Sequence, residues 1–160
     1  MKIIFVCTGN TCRSPMAAAL FLEALRRRQL DHCHVQVSSA GVIALPDQPA
    51  SPQAAAVMAA RGLSLADHRS RRLSPAMIEA ADLLLCMTEE HTHGILMMDA
   101  AAAGRVFTLG EFVFGRDSDE RIPDPFGQAT TVYEKTADRL AILMEALVDK
   151  LMEERMVACP

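Results

Sequence analysis

The sequence predicts an α/β fold built on a doubly wound parallel sheet, and three observations predict it. Four short apolar or β-branched runs alternate with longer segments of helical period, the order that places crossover helices between parallel strands. One of those runs, Asp82–Met87, is nearly continuous in apolar residues, as a strand buried on both faces has to be. The 160 residues are 51% apolar and 22% charged, a globular balance that excludes collagen, coiled coil and disorder. At this length roughly two thirds of the unfolded surface can be buried, so one domain spanning 1–160 is expected.

Lys2–Val6 is the first strand, followed by the turn-rich Cys7-Thr8-Gly9-Asn10-Thr11. A helix follows from Ser14 to about Arg28, with Arg13 or Ser14 in the N-cap region and Pro15 at the first helical position. Met16, Ala17, Leu20, Phe21, Ala24 and Leu25 form its apolar stripe. A second strand is expected at about His34–Ala40, closed by Gly41, after which Pro46, Pro49 and Pro52 mark a loop into a helix over Gln53–Arg61, stopped by Gly62. Leu63–Leu73 is polar and basic, and Ser74-Pro75 opens a short helix to about Ala81. Asp82–Met87 is the third strand, and Thr88-Glu89-Glu90 caps a helix carrying Ile95, Leu96 and Met97. Val106–Leu109 is the fourth strand, Gly110–Gln128 a long loop, and Val132–Met156 a closing helix with Leu140, Leu143, Met144, Leu147 and Leu151 at helical spacing.

A net charge of −4 without a Lys/Arg block gives no electrostatic footprint for nucleic acid or an anionic membrane, so neither is an expected partner. No apolar stretch approaches the roughly 20 residues that span a bilayer, and the start of the chain does not read as a signal peptide. Five cysteines, an odd and sparse set, fit free thiols in a reducing cytosol better than a disulfide scaffold. Cys33 and Cys159 read as incidental and Cys86 as core. The five histidines are scattered and no Cys/His spacing suits zinc; neither metal nor cofactor is expected.

Ligands of such sheets bind beyond the carboxyl ends of the strands, which directs attention to the first loop. Cys7 to Ser14 reads C-x5-R-S between a strand and a helix. A loop of this length can aim backbone N–H groups of Thr8, Gly9, Asn10, Thr11 and Cys12 at one point, where the helix N-terminus adds partial positive charge, and so cradle a phosphate-sized anion. Cys7 at the base would have a lowered pKa and act as a nucleophile. Arg13 can hold two phosphoryl oxygens with its planar fork, and the Ser14 hydroxyl can stabilise the departing sulfur. The loop lacks the G-K-[S/T] ending of a nucleotide-binding phosphate loop.

A nucleophile of this kind needs a proton donor for its leaving group. Asp124 in the Asp124-Pro125-Phe126 stretch is the candidate, since Pro125 biases it to an extended backbone from which the carboxyl can reach the cradle. It could act as general acid and then as general base toward water. Taken alone, the dipeptide would be a turn, and Asp117 and Asp119 read as solvated loop charges.

CTGNTCRSPMA near the start, SAG at Ser39–Gly41 and DPF at Asp124–Phe126 together resemble the low-molecular-weight protein tyrosine phosphatase superfamily over nearly the whole chain. The resemblance implies a three-layer α/β sandwich with a four-stranded parallel sheet and helices on both faces. It implies metal-free phosphate-ester or phosphoramidate hydrolysis through a phosphocysteine, with Cys7 as nucleophile, Arg13 as clamp and Asp124 as acid. It also implies a polar support in which Asn10, Ser39 and His68 hydrogen-bond together behind the loop. Where tyrosine phosphatases of this type carry Ile or Leu this chain has Thr11, and where they carry Tyr after Asp-Pro it has Phe126; both resemble the bacterial protein-arginine phosphatase branch. A threonine hydroxyl can bond a guanidinium N–H that an aliphatic wall would leave desolvated. Phosphorylated proteins are then the expected partners, with phosphotyrosine the alternative substrate.

An arsenate reductase of the same fold is the rival from another class, but it would relay oxidation through two further cysteines after the third strand, and the helix following Cys86 contains none. Cys12 has two readings, a reversible disulfide partner shielding Cys7 or a small buried side chain at the helix entrance. Ile43 and Leu45, just after the second strand, are the expected outer pocket walls.

Overall fold

A computed structural model describes residues 1–30, 35–154 and 156. Its four strands, β1 (Lys2–Cys7), β2 (Gln36–Gly41), β3 (Leu83–Cys86) and β4 (Val106–Thr108), are all parallel and lie in the order β2-β1-β3-β4. The chain steps from β1 to β2 on one side and then crosses to β3 and β4 on the other. The crevice at that change of direction opens beyond the carboxyl end of β1.

Period-two alternation explains why the sheet needs cover on both faces. Ile3, Phe5, Leu83 and Leu85 point into the larger apolar cluster, with Met16, Phe21, Leu140, Met144 and Leu147. Their neighbours Ile4, Val6, Leu84 and Cys86 belong to a second cluster with Ile78, Ile95 and Ala102. The first cluster is closed by α1 (Arg13–Arg27), α2 (Pro52–Ala59) and α6 (Thr130–Glu153), and the second by α3 (Pro75–Ala80) and α4 (Glu89–Met98). The result is three layers, with Phe5 set edge-on to Phe21 at 5.6 Å between ring centres. Among the described residues no helix is long and apolar enough to cross a membrane.

Several boundaries differ from the sequence reading. Helix α1 begins at Arg13 with Cys12 as N-cap, so Pro15 is its third residue, not its first. N–H groups of a first turn have no partner within the helix, and proline is tolerated throughout it. The expected loop from Gly110 instead begins with a sixth helix, α5 (Leu109–Phe114). The Thr108 hydroxyl accepts the Glu111 N–H at 3.0 Å, a Thr-x-x-Glu start disguised by Gly110. That glycine serves close approach: a side chain there would collide with the Glu120 backbone. Ala100–Gly104 is a short 3₁₀ turn capped by Asp99. The expected strand start at His34, and the readings of Cys33 and Cys159, fall outside the described residues.

Candidate active site

The loop between β1 and α1 is shaped around Asn10, which adopts a left-handed backbone conformation (φ 56°). A non-glycine residue holds that conformation only when its surroundings fix it, and Asn10, fully buried, is fixed on every side. Its amide nitrogen donates to the Ser14 and Ser39 hydroxyls, both at 2.9 Å, and its side-chain oxygen accepts the Arg71 N–H at 2.9 Å. His68 Nε2 lies 2.6 Å from its carbonyl oxygen. Ser39 and His68 thus come to the loop from β2 and from the segment before α3. Gly41, at the end of β2, permits the close approach: a Cβ there would lie 2.5 Å from the Thr8 carbonyl oxygen and 2.9 Å from the Asn10 nitrogen.

Cys7 ends β1 and is 2% exposed. Its sulfur is 3.0 Å from the Ser14 hydroxyl and accepts the Asn10 N–H at 3.3 Å. Burial pushes the thiol pKa up, against the lowering effects of Ser14, Arg13 and Asn10, and the balance lies above the ordinary value. The expectation of a depressed thiol pKa is therefore corrected: desolvation of a sulfur this deep outweighs the contacts that favour its anion.

Arg13 is 3% exposed and its guanidinium is shared among three acceptors. Nη1 donates to the Ile122 carbonyl at 3.1 Å, and Nη2 to the Thr8 hydroxyl at 3.2 Å and to the Asp124 carboxylate. Its Nε is, among the described residues, the one buried side-chain nitrogen or oxygen without a hydrogen-bond partner. Such groups are rare and costly in native proteins. This one belongs to a residue that lines the same pocket as Cys7 and is suited to gripping an oxyanion.

The Asp124 loop is anchored rather than floating. Ile122 is buried, and its N–H donates to the Met87 carbonyl just beyond β3 at 3.1 Å. Glu120 takes a two-point ion pair from Arg139 of α6. Asp124 Oδ1 accepts the Phe126 N–H at 3.1 Å, closing a local turn. Asp117 and Asp119 are exposed.

Cys7, Thr8, Gly9, Thr11, Cys12, Arg13, Asp124 and Phe126 line one pocket of about 190 Å³, and Ile43 and Leu45 line a neighbouring groove that shares Gly9, Thr11 and Phe126 with it. Phe126 is exposed at the rim. Cys7 and Cys12 are both free thiols, and the Cys12 sulfur donates to the Ser51 hydroxyl at 3.3 Å and lies 3.5 Å from the Tyr133 hydroxyl. The arrangement offers a buried sulfur nucleophile, an oxyanion-gripping guanidinium and a carboxyl group within one small cavity.

Sequence reasoning missed His91, which α4 brings against the loop with its Nε2 2.9 Å from the Thr8 hydroxyl. Its signal was available: it stands three residues after Thr88, at the helix start that follows β3. It also passed over Ile122, whose role rests on backbone atoms that carry no sequence mark.

Residues 2–157 match the family described as low molecular weight phosphotyrosine protein phosphatase. The chain is 42% identical over 155 residues to a protein-arginine-phosphatase of Bacillus subtilis (strain 168), covering 97% of this chain and 99% of that protein. It is similar to the solved structure of a YwlE arginine phosphatase mutant with a phosphorylated active-site serine, at TM-score 0.91 and 40% identity, covering 99% of this chain and 100% of that one. It is also similar to a low molecular weight protein tyrosine phosphatase from T. tengcongensis, at TM-score 0.86 and 37% identity over 94% of this chain and 99% of that one.

Proposed function

Because the chain belongs to the low molecular weight phosphotyrosine protein phosphatase family, we propose that it hydrolyses phosphoarginine in proteins through a phosphocysteine on Cys7. The observation that carries the reading is the single pocket shared by Cys7, Thr11, Arg13 and Asp124. The phosphoryl group enters it against Arg13, whose free Nε–H takes one oxygen while the loop amides take others. Attack requires the thiolate, which Ser14, Asn10 and Arg13 favour against burial. Sulfur bonds to phosphorus, the P–N bond breaks, and Asp124 delivers a proton so that the guanidine leaves neutral before it regains its charge in water. Asp124 then takes a proton from the water that attacks phosphorus. Phosphate departs, and the Cys7 sulfur leaves as an anion held by Ser14 and the Asn10 N–H.

Thr11 supports arginine over tyrosine. It lines the pocket, and a guanidinium buried against an aliphatic wall would lose a hydrogen bond that a hydroxyl can restore, a difference of about 1–3 kcal/mol. The B. subtilis relative carries the arginine name. The test compares turnover of phosphoarginine and phosphotyrosine peptides by the wild type and by Thr11→Ile. The expected result is a preference for phosphoarginine that Thr11→Ile lowers or reverses. Predominant tyrosine turnover, unaltered by the substitution, would replace the proposal with a tyrosine phosphatase. We propose a cytoplasmic location, supported by the free thiols of Cys7, Cys12 and Cys86 among the described residues.

A further inference from the structure

We propose that His91 is a positioning residue for the phosphoryl group: its Nε2–H, donated to the Thr8 hydroxyl, turns that hydroxyl's own proton into the pocket toward a phosphoryl oxygen. The inference rests on the reading of the pocket as a phosphoryl site.

His91 is 5% exposed and sits in the first turn of α4. Its Nδ1 accepts the Thr88 backbone N–H at 3.2 Å, which is possible only if that nitrogen carries no proton. A neutral ring must then carry its proton on Nε2, 2.9 Å from Thr8 Oγ1. Burial and, after it, the Arg13 guanidinium hold the histidine pKa down to about 4, so the ring stays in this tautomer at neutral pH. Thr8 Oγ1 also receives Arg13 Nη2 at 3.2 Å. A hydroxyl has two lone pairs and one proton; with both lone pairs taken by donors, only its O–H remains to bond. Thr8 lines the pocket together with Cys7 and Arg13, where the acceptor for that O–H is a phosphoryl oxygen. The same contact steadies Arg13, since the hydroxyl that Nη2 meets is itself held from behind. Helix α4 thereby reaches the chemistry without contributing a residue that touches substrate.

Two substitutions separate positioning from simple support of the helix. In His91→Asn the shorter amide can still accept the Thr88 N–H but cannot reach Thr8. In His91→Gln the side-chain oxygen can accept the Thr88 N–H, as glutamine does in a capping box, while its NH2 reaches the Thr8 hydroxyl. Thr8→Val removes the hydroxyl itself. Inorganic phosphate is the probe, titrated by calorimetry into each folded protein, with kcat and KM measured on a phosphopeptide. His91→Asn and Thr8→Val are each expected to weaken phosphate binding about tenfold, the scale of one hydrogen bond to a charged group. The double variant should be no weaker than about twice the worse single one, because both remove the same contact. His91→Gln should bind within about threefold of wild type, having kept its donor. The inference is overturned if His91→Asn binds phosphate as wild type does, if the two losses multiply, or if His91→Gln is as weak as His91→Asn. Should either His91 variant fail to fold, unchanged phosphate affinity in Thr8→Val still overturns it. Wild type that binds phosphate yet turns over neither phosphoarginine nor phosphotyrosine would sink the proposed function while leaving this contact to be judged by the titrations.

Discussion

Arg13 and Asp124 are paired with each other: Nη2 of the buried guanidinium donates to the carboxylate of the half-exposed aspartate. The residue that would grip phosphate and the residue that would protonate the leaving group thus occupy one another. In the proposed reaction an arriving phosphoryl group would displace the carboxylate and so free Asp124 to face the leaving atom.

Asp124→Asn should therefore separate chemistry from binding. Turnover should fall by about 10²–10⁴-fold through loss of the acid and base, while inorganic phosphate inhibits as well as before or better, because a competing anion has gone from Arg13. Steady-state kinetics with phosphate as inhibitor check both. Weakened phosphate binding would show that the carboxylate helps the anion in.

Ser14→Ala removes the largest of the contacts that lower the Cys7 pKa, so the thiol should shift further upward. The pH profile of iodoacetamide inactivation should move to higher pH, and the rate at pH 7 should drop. An unmoved profile would show that the 3.0 Å contact does not favour the thiolate.

Gly41→Ala places a methyl group 2.5 Å from the Thr8 carbonyl oxygen, which the loop can relieve only by shifting. Displacements near 1 Å at a catalytic centre cost on the order of 100-fold, and a loss of at least about tenfold in kcat/KM is expected, with a lowered melting temperature. Kinetics and thermal unfolding read the two effects separately.

Stability should depend on pH through His91. Its folded pKa, about 4, lies below its ordinary 6.5, so between these values the unfolded chain binds the extra proton and stability rises with pH. The contribution is complete above about pH 6.5 and is lost as pH falls toward about 4. His68, also lowered by burial, adds in the same direction. Urea unfolding from pH 7 to 4 should show the decline, and His91→Gln should flatten it.

The pocket formed by the first loop was legible because its pattern is local. Cys7, Arg13 and Ser14 lie within eight residues, and their spacing between a strand and a helix already constrains where the side chains meet. Asp124 was reached by its chemistry and by family resemblance, since nothing in the sequence measures the fold that brings it to Arg13 from 111 residues away. The α5 helix was misread because Gly110 looks like a breaker, whereas it is small to admit the Glu120 backbone. The Cys7 pKa was misjudged for a related reason: dipoles and charges can be named from sequence, but the depth of burial that opposes them is a property of the packed core.

The carbonyl of Ile122 has a consequence for position 13. The guanidinium there ties together a loop hydroxyl, a main-chain oxygen and a carboxylate belonging to two distant stretches of chain. A lysine would restore the charge, but its lone ammonium lacks the breadth to span all three at once. Exchange at this position would loosen the 120s segment, left with its Met87 and Arg139 contacts, as well as weaken the proposed hold on the anion, so inactivity in such a variant would record two separate injuries.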